Sequence, residues 1–544
     1  MKNILFISLT LLFFGCKAQQ PAKNNQNSLQ EPIKPKLVVG IVVDQMRYEY
    51  LYRYADRYTE NGFKRLMGEG FNCRNHQYHY ASTVTGPGHA HVYTGSVPAI
   101  SGIVGNSWYN KQDGTVEYVV SDTTQSTVGE GSASTGQMSP ENLKVTTISD
   151  QLRIANQYRS KVVGVAIKDR GAILPAGHTG SAYWYDAGKG NWVTSTYYAK
   201  ELPSWVNAYN SLKKADAYAA QPWNTLYDLS TYTQSEEDDQ PYESTLSGET
   251  KAAFPHTFSK REIATTPFGN TITLDIALEA LKNEELGKDD ITDLLAISFS
   301  SPDYVGHYFG PQSVELEDVY LRLDREIERL LNTLDQEVGK GNYTVFLTAD
   351  HAVAEIPAYA KKHNLPAGLF TGNEIQKKAN DILSAKYGEN KWIISQENYE
   401  LYLNKPLLAE KNLSVEQVKN TIKNEMILMD GIYNVINLSE VGSESIPTFY
   451  KEKLLNIYNP KRSGEVMVLI EPGWMSGYTK GTTHGSMYAY DTHVPMLWYG
   501  CGIPKGETTR TTYIADIAPT VAELLHILEP SGSVGEPIQE ILEP

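Results

Sequence analysis

Three aspartates stand where apolar runs stop: Asp44 after Lys36–Val43, Asp303 shortly after Asp293–Phe299, and Asp350 shortly after Asn342–Thr348. Two of them are accompanied by histidines, as Asp350-His351 and as Asp303-x-x-x-His307. The i,i+4 spacing of the second pair puts both side chains on one face of a helical turn. A further histidine lies in Gly481-Thr482-Thr483-His484-Gly485, a loop whose glycines let backbone approach a ligand closely. Together these are three carboxylates and three imidazoles, the oxygen and nitrogen donors that zinc accepts. The same donors also suit manganese or iron, so the residue types alone leave the metal open. An isolated Asp-His pair is usually a structural feature, but several such residues at the ends of different strands point to metal-supported chemistry.

The elements that must position these residues are short buried strands. Besides the three runs above, Lys161–Ile167 is apolar and stops at Lys168, and Val494–Tyr499 is a late candidate that Pro495 pushes towards a strand start or an edge. Helical patterns lie between them. Leu316, Val319, Leu323, Ile327, Leu330 and Leu334 recur every three or four residues, and Ile514–Leu525 reads as a final helix with Pro519 near its first turn. Strands alternating with helices indicate an α/β fold, in which ligands bind beyond the carboxyl ends of the strands. Residues 171–270, rich in Tyr, Trp, Ser and Thr, and residues 355–455 interrupt the alternation and read as insertions able to cover a site.

A second motif fixes the chemistry. Ser82-Thr83-Val84-Thr85-Gly86-Pro87-Gly88-His89 is followed by Tyr93-Thr94-Gly95 and by Gly102-Ile103-Val104-Gly105-Asn106. From Lys36 to the final helix the chain resembles the alkaline phosphatase superfamily. The likeness is greatest to its branch with a single threonine nucleophile, which includes the nucleotide pyrophosphatase/phosphodiesterases and the PafA-type bacterial alkaline phosphatases. The resemblance implies a single catalytic domain over residues 36–540. Its mostly parallel central sheet would be flanked by helices, with the insertions forming a cap. It implies two Zn2+ per chain, one held by Asp303, His307 and His484, the other by Asp44, Asp350 and His351, with Thr85 also a ligand. The resemblance makes Thr85 the nucleophile that becomes phosphothreonine, and coordination to zinc would favour the alkoxide of an otherwise poor nucleophile. Asn106 matches the amide that hydrogen-bonds the phosphoryl group, and Lys168 and Arg170 match the cations that contact its non-bridging oxygens. His89, His178 and His493 are expected to pack or to orient neighbours.

Two cations and an amide suit the three charged oxygens of a phosphate monoester dianion, whereas a diester leaves the cations poorly paired and crowds its second substituent. The expected activity is hydrolysis of small organic phosphate monoesters to release inorganic phosphate. The alternative is a phosphodiesterase or nucleotide pyrophosphatase using the same two-metal site. A sulfatase fits less well, since the segment around Thr85 lacks the Cys/Ser-x-Pro-x-Arg pattern.

The chain has 64 acidic and 48 basic residues, a net charge of -16, which argues against nucleic-acid binding. Residues 1–16 carry one Lys, a short apolar run and Phe14-Gly15-Cys16, the pattern of an export signal ending in a lipobox-like cysteine. Residues 17–35, rich in Gln, Asn, Lys and Pro, read as a flexible linker. The expectation is an exported protein, periplasmic or at the cell surface, lipid-anchored to the outer membrane through Cys16 or cleaved free. Cys73 and Cys501 are either packed thiols or one disulfide.

Overall fold

Four apolar runs form the centre of the molecule: β1 (Leu37–Val43), β2 (Val162–Ala166), β3 (Asp293–Phe299) and β4 (Tyr343–Thr348), every residue of each buried. They lie side by side in the order β4-β1-β3-β2, all parallel, with Leu37 opposite Tyr343 on one side and Asp293 on the other. Parallel strands buried on both faces need no polar alternation, which is why these runs read as continuous Val, Ile and Leu. Their carboxyl ends consequently face the same edge of the sheet. The computed structural model describes residues 34–542, which fall within one unit. The export signal, Cys16 and most of the 17–35 linker lie outside the described residues.

The sheet extends to eleven strands, and its flanks turn antiparallel. Met496–Gly500 pairs antiparallel with β4 and lies between β4 and Phe71–Gln77. Pro495 therefore marks a strand start and not an edge, since the missing N–H falls just outside the ladder. On the other flank Ser181–Asp186 runs parallel to β2, and Asn191–Ser195 returns antiparallel. The first part of the 171–270 stretch thus belongs to the central sheet.

Three helices placed after these strands matter for the site: α1 (Thr85–Thr94), α2 (Asp169–Ala176) and α3 (Ser301–Phe309). A fourth, α4 (Val314–Leu334), carries the amphipathic stripe, and Leu316, Val319, Leu323, Ile327, Leu330 and Leu334 are all buried against the core. Each such side chain stabilises the fold by roughly 1.5–3 kcal/mol. The 355–455 stretch supplies strands Ile393–Glu397, Glu400–Leu403 and Ile432–Asn437 to a second, four-stranded sheet, completed by Val466–Ile470 from farther along. That sheet and helices Glu374–Tyr387 and Val415–Met426 share a separate apolar cluster around Trp392, Leu401 and Val418. Asn398, between its first two strands, abuts Gly105: a Cβ there would lie 2.1 Å from the Asn398 amide nitrogen. Cys73 and Cys501 are free, buried thiols.

Candidate active site

Four adjacent strand ends deliver the polar residues. Asp44 directly follows β1, Lys168 follows β2, Asp303 lies in the first turn of α3 after β3, and Asp350-His351 follow β4. Asp303 and His307, four residues apart on α3, approach to 3.1 Å between Oδ1 and Nε2. His484 Nε2 lies 3.5 Å from the same Oδ1. Asp44, Asp350 and His351 form a compact group whose donor atoms lie within 4.8 Å of one another. Asp303, His351 and His484 form a second such group. The structure therefore brings all six anticipated ligands together and places His351 at the junction, its ring stacked on His484 with centroids 3.4 Å apart.

The histidines are oriented for ligation. Nδ1 of His307 lies 2.7 Å from the Thr482 carbonyl, Nδ1 of His484 2.7 Å from the Thr83 carbonyl, and Nδ1 of His351 3.0 Å from the Ala352 carbonyl. A carbonyl only accepts, so each Nδ1 carries the proton and each Nε2 presents its lone pair to the cluster. Asp44 Oδ1, Asp350 Oδ2 and His351 Nε2 are buried without a hydrogen-bond partner among the protein groups. Burial, with Asp303 close by, pushes the Asp44 carboxyl up to about 6. Burial and the Asp44 charge hold Asp350 well above the usual carboxylate range, and burial holds His351 well below the usual imidazole range. Unpartnered, mutually repelling donors of this kind fit divalent cations, which supply the missing charge and occupy the lone pairs.

Thr85 is the first residue of α1 and is 1% exposed, so its hydroxyl sits at the positive end of a ten-residue helix. Lys168 Nζ approaches Thr85 Oγ1 to 3.4 Å and Arg170 Nη2 to 3.3 Å. Lys168 also lies 2.7 Å from Asp44 and 2.5 Å from Asp303. Burial works against its charge, but Asp303 and Asp44 outweigh it and keep Lys168 protonated. Asn106 Oδ1 accepts the Gly86 N–H at 2.7 Å, leaving its NH2 group to donate elsewhere. His89 positions the loop: Nδ1–H donates to the Thr85 carbonyl at 2.9 Å, and Nε2 accepts from Ser298 at 2.8 Å. His178 is bound to Asp150 and His493 stacks on Tyr48, so neither joins the cluster.

His307 is the open side of the centre. Its side chain is 31% exposed, against 0% for Asp44, Asp350 and His351. A cavity of about 530 Å³ lined by His307, Tyr308, Met475, Tyr478, Lys480 and Thr483 opens there. Another of about 440 Å³ lies among Arg47, Glu355, Tyr490 and His493 and touches none of the six.

Residues 38–494 match the family described as type I phosphodiesterase / nucleotide pyrophosphatase. Over 522 residues the chain is 47% identical to a Myroides odoratus protein named calcium-transporting ATPase, covering 94% of this chain and 95% of the other. It is 45% identical over 518 residues to alkaline phosphatase PafA of Elizabethkingia meningoseptica, with the same two coverages. The crystal structure of wild-type PafA superposes with a TM-score of 0.92 at 45% identity, covering 94% of this chain and 99% of that one. A PafA variant with one Thr, one Asn, one Lys and one Arg replaced has also been solved and superposes with a TM-score of 0.91. With this family match, these identities and this fold, the chain belongs to the alkaline phosphatase superfamily, on its PafA-type branch.

Proposed function

We propose that the chain is a zinc-dependent alkaline phosphatase that hydrolyses phosphate monoesters through a phosphothreonine at Thr85. The observation that carries this reading is the meeting of Lys168 and Arg170 at Thr85 Oγ1, beside two groups of metal ligands. The substitutions in the solved PafA variant support it, because the same four residue types recur here at the same spacing as Thr85, Asn106, Lys168 and Arg170.

One zinc would be held by Asp303, His307 and His484, and the other by Asp44, Asp350 and His351 together with Thr85. Bound there, the pair would supply Lewis acidity and lower the pKa of Thr85 and of water. The remaining work falls to the protein. Three carboxylates against two cations make the bare cluster repel a phosphate dianion, and two divalent ions reverse that sign. The α1 N-terminus favours negative charge on Thr85 Oγ1 as it attacks phosphorus. Lys168 and Arg170 then lie where two non-bridging oxygens arrive, with the Asn106 NH2 group for a third. The leaving alcohol departs towards His307 and its cavity, and water follows by the same side to release phosphate and regenerate Thr85.

The family's description names phosphodiesterases, which makes diester cleavage the second reading. Two cations at the nucleophile, Lys168 buried and Arg170 partly so, favour the dianionic monoester, since a diester leaves one of them unpaired. Among the described residues no helix is long and apolar enough to cross a membrane. Export, with Cys16 as a lipid anchor, rests on the N-terminal sequence alone. Comparing hydrolysis of an aryl phosphate with that of its bis-aryl diester tests the reading. Monoester preference is expected, and a strong diester preference that survives loss of Lys168 and Arg170 would overturn it.

A further inference from the structure

We propose that Gln45 is a positioning residue that ties the two metal-ligand groups to each other, an inference that rests on the two-metal reading above. Gln45 follows Asp44 directly, is 2% exposed, and has φ +68°, a left-handed conformation that side-chain-bearing residues seldom adopt. Strain of this kind persists where the surroundings impose it, and it collects at functional sites. Here the turn sends the two donors of one residue to two different strand ends. The backbone N–H donates to Asp350 Oδ1 at 3.2 Å, and the side-chain Nε2 donates to Asp303 Oδ1 at 2.6 Å and to the Asp303 carbonyl at 3.4 Å. Asp44, Asp350 and Asp303 come from β1, β4 and β3, so one residue links the ends of three strands.

The space for this contact is built in. A Cβ at Gly306 on α3 would overlap Gln45 Oε1, so a glycine there lets the amide take this place without a shift. A carboxylate that ligates a metal must hold one rotation about its final bond. An amide donor on Oδ1 sets that rotation while leaving the oxygen a second lone pair. The side-chain bond acts on Asp303 alone, whereas the backbone bond to Asp350 survives any side-chain change. Loss of the amide therefore loosens one metal and not both.

The test uses full-length protein loaded with zinc and dialysed against graded chelator. Zinc per chain is measured for the wild type, Gln45→Ala and Gln45→Gly, alongside melting temperatures of the metal-free forms. The wild type should hold two zinc ions. Both variants should release one of them at a chelator concentration about 10–100-fold lower, the range for groups that orient a metal's ligands, and keep the other. Excess zinc should restore their turnover. Gln45→Gly, relieved of the positive φ, should melt no lower than Gln45→Ala yet lose the same ion. Chelator resistance equal to the wild type's would refute the proposal. So would loss of both ions together with a lower metal-free melting temperature that zinc does not rescue, the mark of a purely structural residue. A wild type that holds no zinc would instead sink the two-metal reading itself.

Discussion

Arg170→Ala should lower hydrolysis of phosphate monoesters far more than hydrolysis of diesters. Arg170 is suited to the test because its guanidinium contacts Thr85 Oγ1 at 3.3 Å and the Tyr118 hydroxyl at 3.0 Å, and neither partner is one of the six Asp and His ligands. Lys168 would be a poorer probe, since it lies within 2.7 Å of Asp44 and 2.5 Å of Asp303. Removing one preorganised donor from a developing oxyanion costs about 2.7–4 kcal/mol, a factor of about 10²–10³ in kcat. A diester has one of those oxygens esterified, and Lys168 with Asn106 still reaches the rest, so its loss should be about tenfold or less, about 1.4 kcal/mol. The monoester-to-diester ratio of kcat/KM should therefore fall about 10–100-fold. The assay compares an aryl phosphate with its bis-aryl diester on both proteins, with zinc per chain measured on the same samples. An unchanged ratio at equal zinc content would show that Arg170 does not read the phosphoryl oxygen that a diester has esterified.

Three further outcomes follow from the geometry. Chelation should abolish turnover and lower the melting temperature by several degrees, because ions bound only by the folded chain relieve buried carboxylate repulsion; unaltered melting after complete zinc loss would contradict this. Tyr478, 85% exposed at the cavity beside His307, should act on the leaving group. Tyr478→Ala should lower kcat/KM for aryl phosphates about threefold to tenfold, the worth of one aromatic contact, and leave methyl phosphate unchanged; equal effects on both substrates would refute the assignment. Away from the site, Asp150 is 1% exposed and accepts N–H bonds from Thr147, His178 and Thr179 at 2.9, 2.9 and 3.0 Å. Burial alone would raise its pKa, but the His178 ring bond and these N–H groups hold it below the ordinary value, while the bond to Asp150 raises His178. The carboxylate's contribution is thus present above about pH 4 and lost as pH falls through its folded pKa. The imidazole's contribution is complete below about pH 6.5 and lost as pH rises through its own folded pKa. Asp150→Asn should cost roughly 2–3 kcal/mol, with the gap in melting temperature widest between those limits; a gap independent of pH would refute the pairing.

Much of the centre was legible because its ligands sit at ends of fully buried parallel strands, where an Asp after a Val- and Ile-rich run is conspicuous. Thr85 was singled out only through the family resemblance carried by the motif Ser82–His89 around it. The sheet's flanks were harder to read. Ser181–Asp186 is aromatic and polar in sequence, and its place beside β2 depends on a pairing that no local pattern encodes. The second sheet likewise draws Val466–Ile470 from beyond the 355–455 stretch to lie between strands supplied by it. Within the site, the place of His351 in both donor groups arises from its stacking on His484, a contact between distant loops. Gln45 carried no signal at all: a glutamine after an aspartate gives no hint of a positive φ or of a partner on α3.

The central claim is that phosphate passes through Thr85. Zinc-loaded protein mixed with a radiolabelled phosphate monoester, quenched in acid and digested should yield phosphate on the peptide carrying Thr85. Thr85→Ala should show no label, no turnover and undiminished zinc. Label on another residue, or turnover in Thr85→Ala near that of the wild type, would contradict the account.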